Sequence, residues 1–291
     1  MKRYEFIFES TNTEIYPKPI TALVIEPDNI DLNTGSMLFT HGWGCNRFQH
    51  QDKMEYAADM FNLTCVSVEY RQSGYDFDQY KGSGALIPYD GSFYQTADVL
   101  CGFREVISRY PSLDRGRLFH YGGSQGGHIA LLGSLIAPKT FAFVYSSCAP
   151  VKFTGIIQTW AGRYFADFEL SIRNIVEHAE MIQCPLFMEH GTDDELVPHS
   201  HAQELEERLK SLGKTFTIKF YEGGTHSLEP AITKLDAFKA MASKPMQQLR
   251  NKWKDDFASG SKICIDCGSK NLLIDWSRES KSTEILKWES K

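Results

Sequence analysis

Residues Phe119–His128 read Phe-His-Tyr-Gly-Gly-Ser-Gln-Gly-Gly-His, between a short apolar segment and a helical pattern. Ser124 stands at the centre, with two glycines before it and two more after Gln125. A serine at a sharp strand-to-helix turn needs small neighbours, and these glycines supply that room. Its hydroxyl would lie at the helix N-terminus, where partial positive charge favours a developing oxyanion. The stretch predicts a nucleophile elbow rather than a phosphate loop, because it has neither a Walker lysine nor a G-x-G-x-x-G pattern.

The segments around this stretch alternate between strand and helix patterns. The predicted strands are Ile20–Glu26, Met37–Thr40, Thr64–Tyr70, Leu118–Tyr121, Phe141–Ser147, Pro185–His190 and Thr215–Tyr221. The predicted helices are Gln49–Phe61, Ala97–Tyr110, Gln125–Ile136, His201–Leu212 and Lys234–Ala242. Apolar strands separated by helical patterns of roughly 10–15 residues predict a mostly parallel central sheet with helices on both faces.

The composition restricts the class of protein. The chain has 291 residues, 42% of them hydrophobic and 23% charged, which predicts a sizeable core and excludes wholesale disorder. The net charge of −6 argues against a nucleic-acid partner. No apolar run approaches the roughly 18 residues of a membrane span, so no membrane partner is expected. Seven scattered cysteines and a strand-like N-terminus without a signal-peptide pattern predict a cytoplasmic location.

Two later segments offer an acid and a base for the serine. Pro185–Pro198 reads as a strand that runs into a turn with two adjacent carboxylates, Asp193 and Asp194. A further strand pattern runs into a Gly-rich loop that ends in His226. Both candidates follow the carboxyl ends of strands, where sheets of this kind place their sites. The chain order of Ser124, acid and histidine predicts a Ser-His-Asp triad.

The segment Leu38-Phe-Thr-His-Gly-Trp-Gly44 follows an early predicted strand. A His-Gly turn at that place commonly positions a backbone N–H in the oxyanion hole. We expect the backbone amides of Trp43 and Gln125 to hold the oxyanion. We expect His41 to hold the loop through hydrogen bonds rather than act as a base.

Together these motifs resemble the α/β-hydrolase superfamily over roughly residues 20–242. His190–Pro198 is similar to the His-Gly-x-x-Asp-x-x-Val-Pro signature of the prolyl-oligopeptidase-like branch, which includes dienelactone-hydrolase-like and acyl-aminoacyl-peptidase-like enzymes. That resemblance implies an α/β-hydrolase fold with Asp194 as the triad acid. The elbow is also similar to that of acetyl xylan esterases and cephalosporin-C deacetylases, although Arg71-Gln-Ser-Gly74 matches their Arg-Gly-Gln motif only in part.

The resemblance implies a serine hydrolase that needs no cofactor. Our first expectation is an esterase for a small-molecule acyl ester, such as an acylated sugar. The alternative is a peptidase of the aminoacyl-peptidase kind. Such peptidases usually carry an N-terminal propeller, whereas only a short segment precedes the His-Gly turn here, which favours the esterase. A non-catalytic binding module is a third class, which the intact serine, aspartate and histidine argue against.

Pro150–Gln183 is predicted to be a small helical insertion in a hydrolase domain of residues 1–245. Its aromatic side chains either pack the insertion or line the substrate pocket, for which Trp160 and Tyr164 are the candidates. The long loop Gly74–Gly91 supplies a weaker pocket candidate in Tyr75.

No metal site is expected. His199 and His201 are two residues apart, which is a poor spacing for two ligands on one helix. Cys264 and Cys267 lack a second pair of ligands, so we interpret them as two positions of a hairpin. That hairpin belongs to a C-terminal extension of residues 246–291, which we expect to pack on the hydrolase domain.

Overall fold

The computed structural model describes residues 1–10, 19–74 and 89–291 of the chain. Within these ranges one sheet has eight strands in the order β1-β2-β4-β3-β5-β6-β7-β8. They are β1 Lys2–Glu9, β2 Pro19–Glu26, β3 Gly35–Thr40, β4 Leu63–Glu69, β5 Leu118–Gly123, β6 Phe143–Ser147, β7 Leu186–Gly191 and β8 Phe216–Tyr221. Strand β2 is antiparallel to β1 and β4, and all later pairs are parallel, which confirms the predicted mostly parallel sheet.

Helices cover both faces of this sheet, as predicted. They are α1 Gln51–Phe61, α2 Phe93–Arg109, α3 Gln125–Ile136, α4 Gly155–Ala161, α5 Asp167–Ile172, α6 Ser200–Ser211, α7 Lys234–Gln248 and α8 Asp256–Ser259, with a 3₁₀ turn at Ala179–Met181. Helices α2, α3 and α6 bury their apolar residues in one core, and α1 and α7 bury theirs in a second. None of the helices described is both long and apolar enough to cross a membrane.

Burial explains why the central strands are apolar throughout. Every residue of β3 and of β5 is buried, because helices lie above and below them. The edge strand β8 instead alternates between half-buried and exposed residues. The central strands β3, β5, β6 and β7 therefore form a rigid base, and the loops after their carboxyl ends carry the candidate site.

The segment 150–183 contains α4, α5 and the 3₁₀ turn, as a helical insertion between β6 and β7. Arg173 lies at its base, almost wholly buried, and its guanidinium donates to the carbonyl oxygens of Gly91 and Asp90 at 2.6 Å. These bonds tie the insertion to the residues just before α2. Most of the predicted loop Gly74–Gly91, including Tyr75, lies outside the described residues.

The C-terminal residues form a second sheet with three antiparallel strands. They are β9 Lys262–Cys267, β10 Lys270–Asp275 and β11 Leu286–Ser290, in the order β11-β10-β9. The sequence predicted the first two as a hairpin but not the third. Trp276 directly follows β10 and is fully buried. Its indole N–H donates to the carbonyl oxygen of Ile136 at 2.9 Å, so this sheet is fastened to α3.

Candidate active site

Ser124 occupies the turn between β5 and α3. Its backbone has φ 56° and ψ −125°, a region in which residues other than glycine are strained. Two neighbouring glycines are required by space: a Cβ on Gly122 would overlap the carbonyl oxygen of Gly126, and a Cβ on Gly126 would overlap that of Thr40. The N–H of Ser124 donates to the carbonyl oxygen of Ser147 at 2.8 Å, which fixes the turn to β6.

The turn after β3 lies directly beside this serine. A Cβ built on Gly42 would be 3.4 Å from the Cβ of Ser124. The N–H of Gly42 is satisfied by Gln49 Oε1 at 2.7 Å. Within the described ranges, the backbone N–H groups of Trp43 and Gln125 have no protein acceptor. Both donors are therefore free to bind an external oxygen next to Ser124, as an oxyanion hole requires.

The side chain of Gln125 is held by a buried network. Its Nε2 donates to Gln95 Oε1 at 2.9 Å, and its Oε1 accepts from the hydroxyl of Tyr89 at 2.8 Å. Tyr89 in turn stacks on the indole of Trp43, with ring centroids 4.4 Å apart. The two residues with free N–H groups are thus joined through one tyrosine.

Asp194 follows β7 and is buried, and its Oδ2 accepts from His226 Nδ1 at 2.7 Å. Its Oδ1 accepts from the backbone N–H groups of Leu196 and Val197, at 3.0 and 2.9 Å. The adjacent Asp193 is exposed, and its Oδ1 accepts from the hydroxyl of Thr192 at 3.1 Å. Of the two aspartates that the sequence offered, Asp194 is the one that contacts the histidine.

His190, to which the sequence gave no role, is part of this arrangement. It is the fifth residue of β7, and its Nε2 lies 2.8 Å from the carbonyl oxygen of Val197 and 3.2 Å from Asp194 Oδ2. Burial alone would raise the pKa of Asp194. Hydrogen bonds from His190, His226 and Val197 outweigh that effect and hold the pKa well below its usual value. Asp194 is therefore an ionised carboxylate at neutral pH.

A cavity of about 490 Å³ opens beside Ser124 and His226, which both line it. Its apolar lining consists of Trp43, Pro150, Phe153, Ile157, Trp160, Leu196 and Val197. Its remaining side chains with polar or thiol groups are those of Cys45, Gln49, His50, Gln125 and Lys234. A mostly apolar pocket with a few polar groups next to a nucleophile is typical of a small-molecule or peptide site.

The structure brings Trp160 to this cavity but not Tyr164. The Trp160 ring meets Trp43 edge to face, with centroids 6.4 Å apart. Helix α4 ends at Ala161, and Gly162 then reverses the chain with a left-handed φ of 65°. After this reversal the next aromatic that faces inward is Phe165, whereas Tyr164 is 95% exposed. Tyr164 is therefore not a lining residue, and Tyr75 lies outside the described residues.

The other histidines that the sequence singled out make their described contacts with residues other than Asp194 and His226. His41 is fully buried, stacks on Tyr70 at 4.1 Å and shares a hydrogen bond with the carbonyl oxygen of Gly42. Burial lowers the pKa of His41 to about 4, so the ring is neutral and holds the loop. His201 accepts from the N–H of Val151 at 3.3 Å, and His199 precedes α6 near Phe220.

One group of possible metal ligands includes Asp194. Cys148, His190 and Asp194 bring their ligand atoms within 4.8 Å of one another. Both carboxylate oxygens and His190 Nε2 are already engaged in the hydrogen bonds described above. Burial raises the pKa of Cys148 to about 11, so the sulfur is a neutral thiol rather than a metal-binding thiolate. On β9, Cys264 is exposed and Cys267 is buried, and both are free thiols.

The chain is similar in sequence to known peptidases. The model of the prolyl oligopeptidase family matches residues 93–243. The uncharacterized peptidase YuxL of Bacillus subtilis (strain 168) is 28% identical over 153 residues, which make up 48% of this chain and 23% of that protein.

Among solved structures, the acylaminoacyl peptidase of Pyrococcus horikoshii aligns over 87% of this chain and 43% of its own, with a TM-score of 0.69 and 17% identity. The dipeptidyl peptidase 4 of Porphyromonas gingivalis aligns over 83% of this chain and 35% of its own, with a TM-score of 0.63 and 17% identity. At these identities the solved structures establish the fold. The chain spans less than half the length of each of these proteins.

Proposed function

The chain belongs to the prolyl oligopeptidase family of serine hydrolases, and from this premise we propose that it is a peptidase with a Ser124–His226–Asp194 triad. One observation carries the proposal. Ser124, in a strained turn, lines the same cavity as His226, whose Nδ1 is 2.7 Å from the ionised Asp194. This is the arrangement that activates a serine hydroxyl, because the serine is a weak nucleophile without a base.

The hydrogen bond to Asp194 determines which nitrogen of His226 is the base. With the proton on Nδ1 bound to the carboxylate, Nε2 is left as the acceptor on the side of the cavity. Asp194 also stabilises the imidazolium that forms when Nε2 takes the serine proton. His190 and the backbone N–H groups of Leu196 and Val197 keep that carboxylate fixed and charged.

The reaction then has two halves. Ser124 Oγ attacks the carbonyl carbon while His226 takes its proton, and the N–H groups of Trp43 and Gln125 bind the oxyanion. His226 gives the proton to the leaving amine, and the acyl group stays on the serine. A water molecule, deprotonated by His226, attacks the acyl carbonyl and releases Ser124.

The choice of bond rests on the family and on its relatives. The similar proteins named above are peptidases by name, which supports a peptide substrate over the ester expected from the sequence. The same triad also cleaves esters, so the esterase remains the competing outcome of the test. The sequence-based preference for an ester rested on the short segment before His41, which carries no information about the bond that is cleaved.

The test compares one acyl part presented as a peptide anilide and as an alkyl ester. We expect turnover of the anilide by the wild-type chain, loss of turnover in Ser124→Ala, and labelling of Ser124 by a fluorophosphonate. An esterase would cleave the ester while the anilide stayed at the level of Ser124→Ala. Failure of the fluorophosphonate to label Ser124 would overturn the triad itself.

A further inference from the structure

Lys234 is a charged residue of the cavity that the proposed chemistry does not use. It is the first residue of α7, is half-buried, and lines the cavity together with Ser124 and His226. Among the described residues that line the cavity, it is the one lysine, and no arginine, aspartate or glutamate lies beside it in the lining. Its ammonium group forms no hydrogen bond or ion pair with the described part of the chain.

The neighbours of Lys234 leave its charge unbalanced. Burial raises the pKa of Cys45, and the positive charge of Lys234 partly opposes that rise. The two side chains therefore lie near each other. His50 is buried, and both Lys53 and Lys234 add to the lowering of its pKa, so it stays neutral. Glu189 is the buried carboxylate within reach of this charge, but burial raises its pKa, and it is not a lining residue.

A lysine at this position is unfavourable for the protein alone. The first turn of a helix has partial positive charge and disfavours a cation. The side chain of this half-buried lysine also has no hydrogen-bond partner among the described residues that would compensate for lost hydration. A carboxylate in the cavity would supply the missing partner, and an ion pair shielded from water is stronger than one on the surface.

The composition of the cavity wall is our basis for placing this carboxylate relative to Ser124. The segment 150–160 gives an apolar wall of Pro150, Phe153, Ile157 and Trp160, which suits the acyl side chain of a substrate. Lys234 lies instead with Cys45 and His50 from the β3–α1 connection. The acyl part and the leaving group extend in opposite directions from the reacting carbonyl. With the acyl side chain on the apolar wall, Lys234 is the charged residue of the cavity that the leaving group can use.

We propose that Lys234 is a specificity-determining residue that pairs with a free carboxylate on the leaving group, so that preferred substrates are short peptides cleaved near their C-terminus. This inference rests on the proposed peptidase function and adds the substrate class. It assigns the acyl side chain to the apolar wall and the terminal carboxylate to the ammonium group of Lys234.

The experiment uses two peptides with the same acyl part and scissile bond, one ending in a carboxylate and the other in a carboxamide. The readout is the ratio of their kcat/KM values. We expect the wild type to favour the carboxylate by about tenfold to a hundredfold, the range of a charge-assisted hydrogen bond. The ratio should fall to near unity in Lys234→Gln, invert in Lys234→Glu, and largely return in Lys234→Arg. Lys244→Gln removes the same charge from an exposed position of α7 and should keep the wild-type ratio.

Three results would overturn the proposal: a wild type that does not distinguish the two peptides, a Lys234→Gln ratio equal to that of the wild type, or a preference that appears only when the carboxylate is moved to the acyl part. A second pair, built on an ester bond, separates this proposal from the peptidase function. Uncleaved peptides with a Lys234-dependent preference among the esters would end the peptidase assignment and keep the Lys234 assignment. If neither pair is cleaved, the affinities of both peptides for the Ser124→Ala variant are measured by calorimetry. Equal affinities would refute the role of Lys234.

Discussion

Asp194 Oδ2 lies 2.7 Å from His226 Nδ1, whereas Asp193, one residue earlier, is exposed and bonded to Thr192. Adjacent residues in an extended turn point to different sides, so the two carboxylates have different surroundings. Asp194 receives two backbone N–H groups and lies against His190 as well. The two aspartates are therefore expected to respond very differently to the same substitution.

Asp194→Asn should lower kcat by roughly 10⁴, because an amide at this position favours the wrong histidine tautomer. Asp193→Asn is the matched control and should cost about tenfold or less, since its contact is an exposed hydrogen bond of ordinary strength. Steady-state kinetics on one substrate, with thermal melting to verify folding, measures both. Equal losses, or a larger loss in Asp193→Asn, would contradict the assignment of the acid.

Ser124 allows a test that separates catalysis from strain. Ser124→Ala should lower kcat on the order of 10⁶ and leave the backbone strain in place. Ser124→Gly should be equally inactive but more stable than Ser124→Ala by about 1 kcal/mol, because glycine adopts the observed φ of 56° without a Cβ clash. Urea unfolding of the two inactive variants measures the difference. A glycine variant that is less stable than the alanine variant would show that the turn is not strained.

The fold could be predicted largely from local patterns, because buried parallel strands and the helices between them leave strong apolar signals. The first and last residues of helices and strands were harder to predict from the sequence. Helix α2 begins at Phe93 rather than at Ala97, since Ser92 caps it and donates its N–H to Gln95 Oε1 at 2.7 Å. Helix α7 continues past Ala242 and Pro245 to Gln248. Strand β11 has only five residues and pairs along one edge with β10, so its pattern was too short to identify.

The candidate site also has features that the sequence could predict and features that it could not. The spacing of glycines around Ser124, and of Asp194 and His226 after their strands, is a chain-local signal that the sequence carries. Contacts made across the fold are not local, so neither the approach of His190 to Asp194 nor the outward turn of Tyr164 could be predicted. Lys234 did leave a signal: a lysine at the first position of a predicted helix opposes the helix dipole.

Glu189 predicts a pH dependence of stability. This β7 residue is almost completely buried, and burial raises its pKa above the usual 4.5 despite the hydroxyls of Tyr145 and Ser147 nearby. A carboxyl group whose pKa is higher in the folded than in the unfolded state stabilises the fold when it is protonated. This stabilisation is fully present below the unfolded pKa and is lost as pH rises through the folded pKa. Glu189→Gln removes the cost of ionisation, so its Tm should exceed that of the wild type at pH 8.

The same difference in Tm should shrink toward zero as the pH is lowered below the unfolded pKa of about 4.5, where Glu189 becomes protonated in both states. Differential scanning calorimetry at several pH values measures it. Asp275→Asn changes a half-buried carboxylate at the end of β10, whose pKa is lowered mainly by its hydrogen bond to Ser277. It should show the opposite trend and lose stability relative to the wild type as pH rises. An advantage of Glu189→Gln that grows as pH falls would contradict the buried-acid interpretation.

Trp276 couples the C-terminal sheet to α3, the helix that begins directly after Ser124. It is fully buried, packs edge to face on Phe257 at 4.7 Å, and donates its indole N–H to the carbonyl oxygen of Ile136, the last residue of α3. Trp276→Ala should lower the free energy of unfolding by about 3–5 kcal/mol, the cost of a large cavity. Trp276→Phe keeps most of the volume but leaves that carbonyl without its donor, which should cost about 1–3 kcal/mol.

Chemical denaturation measures both, and Trp253→Ala, at an exposed tryptophan, is the control that should change little. A loss of less than about 1 kcal/mol in Trp276→Ala would mean that residues 262–290 do not stabilise the eight-stranded sheet and its helices through this contact.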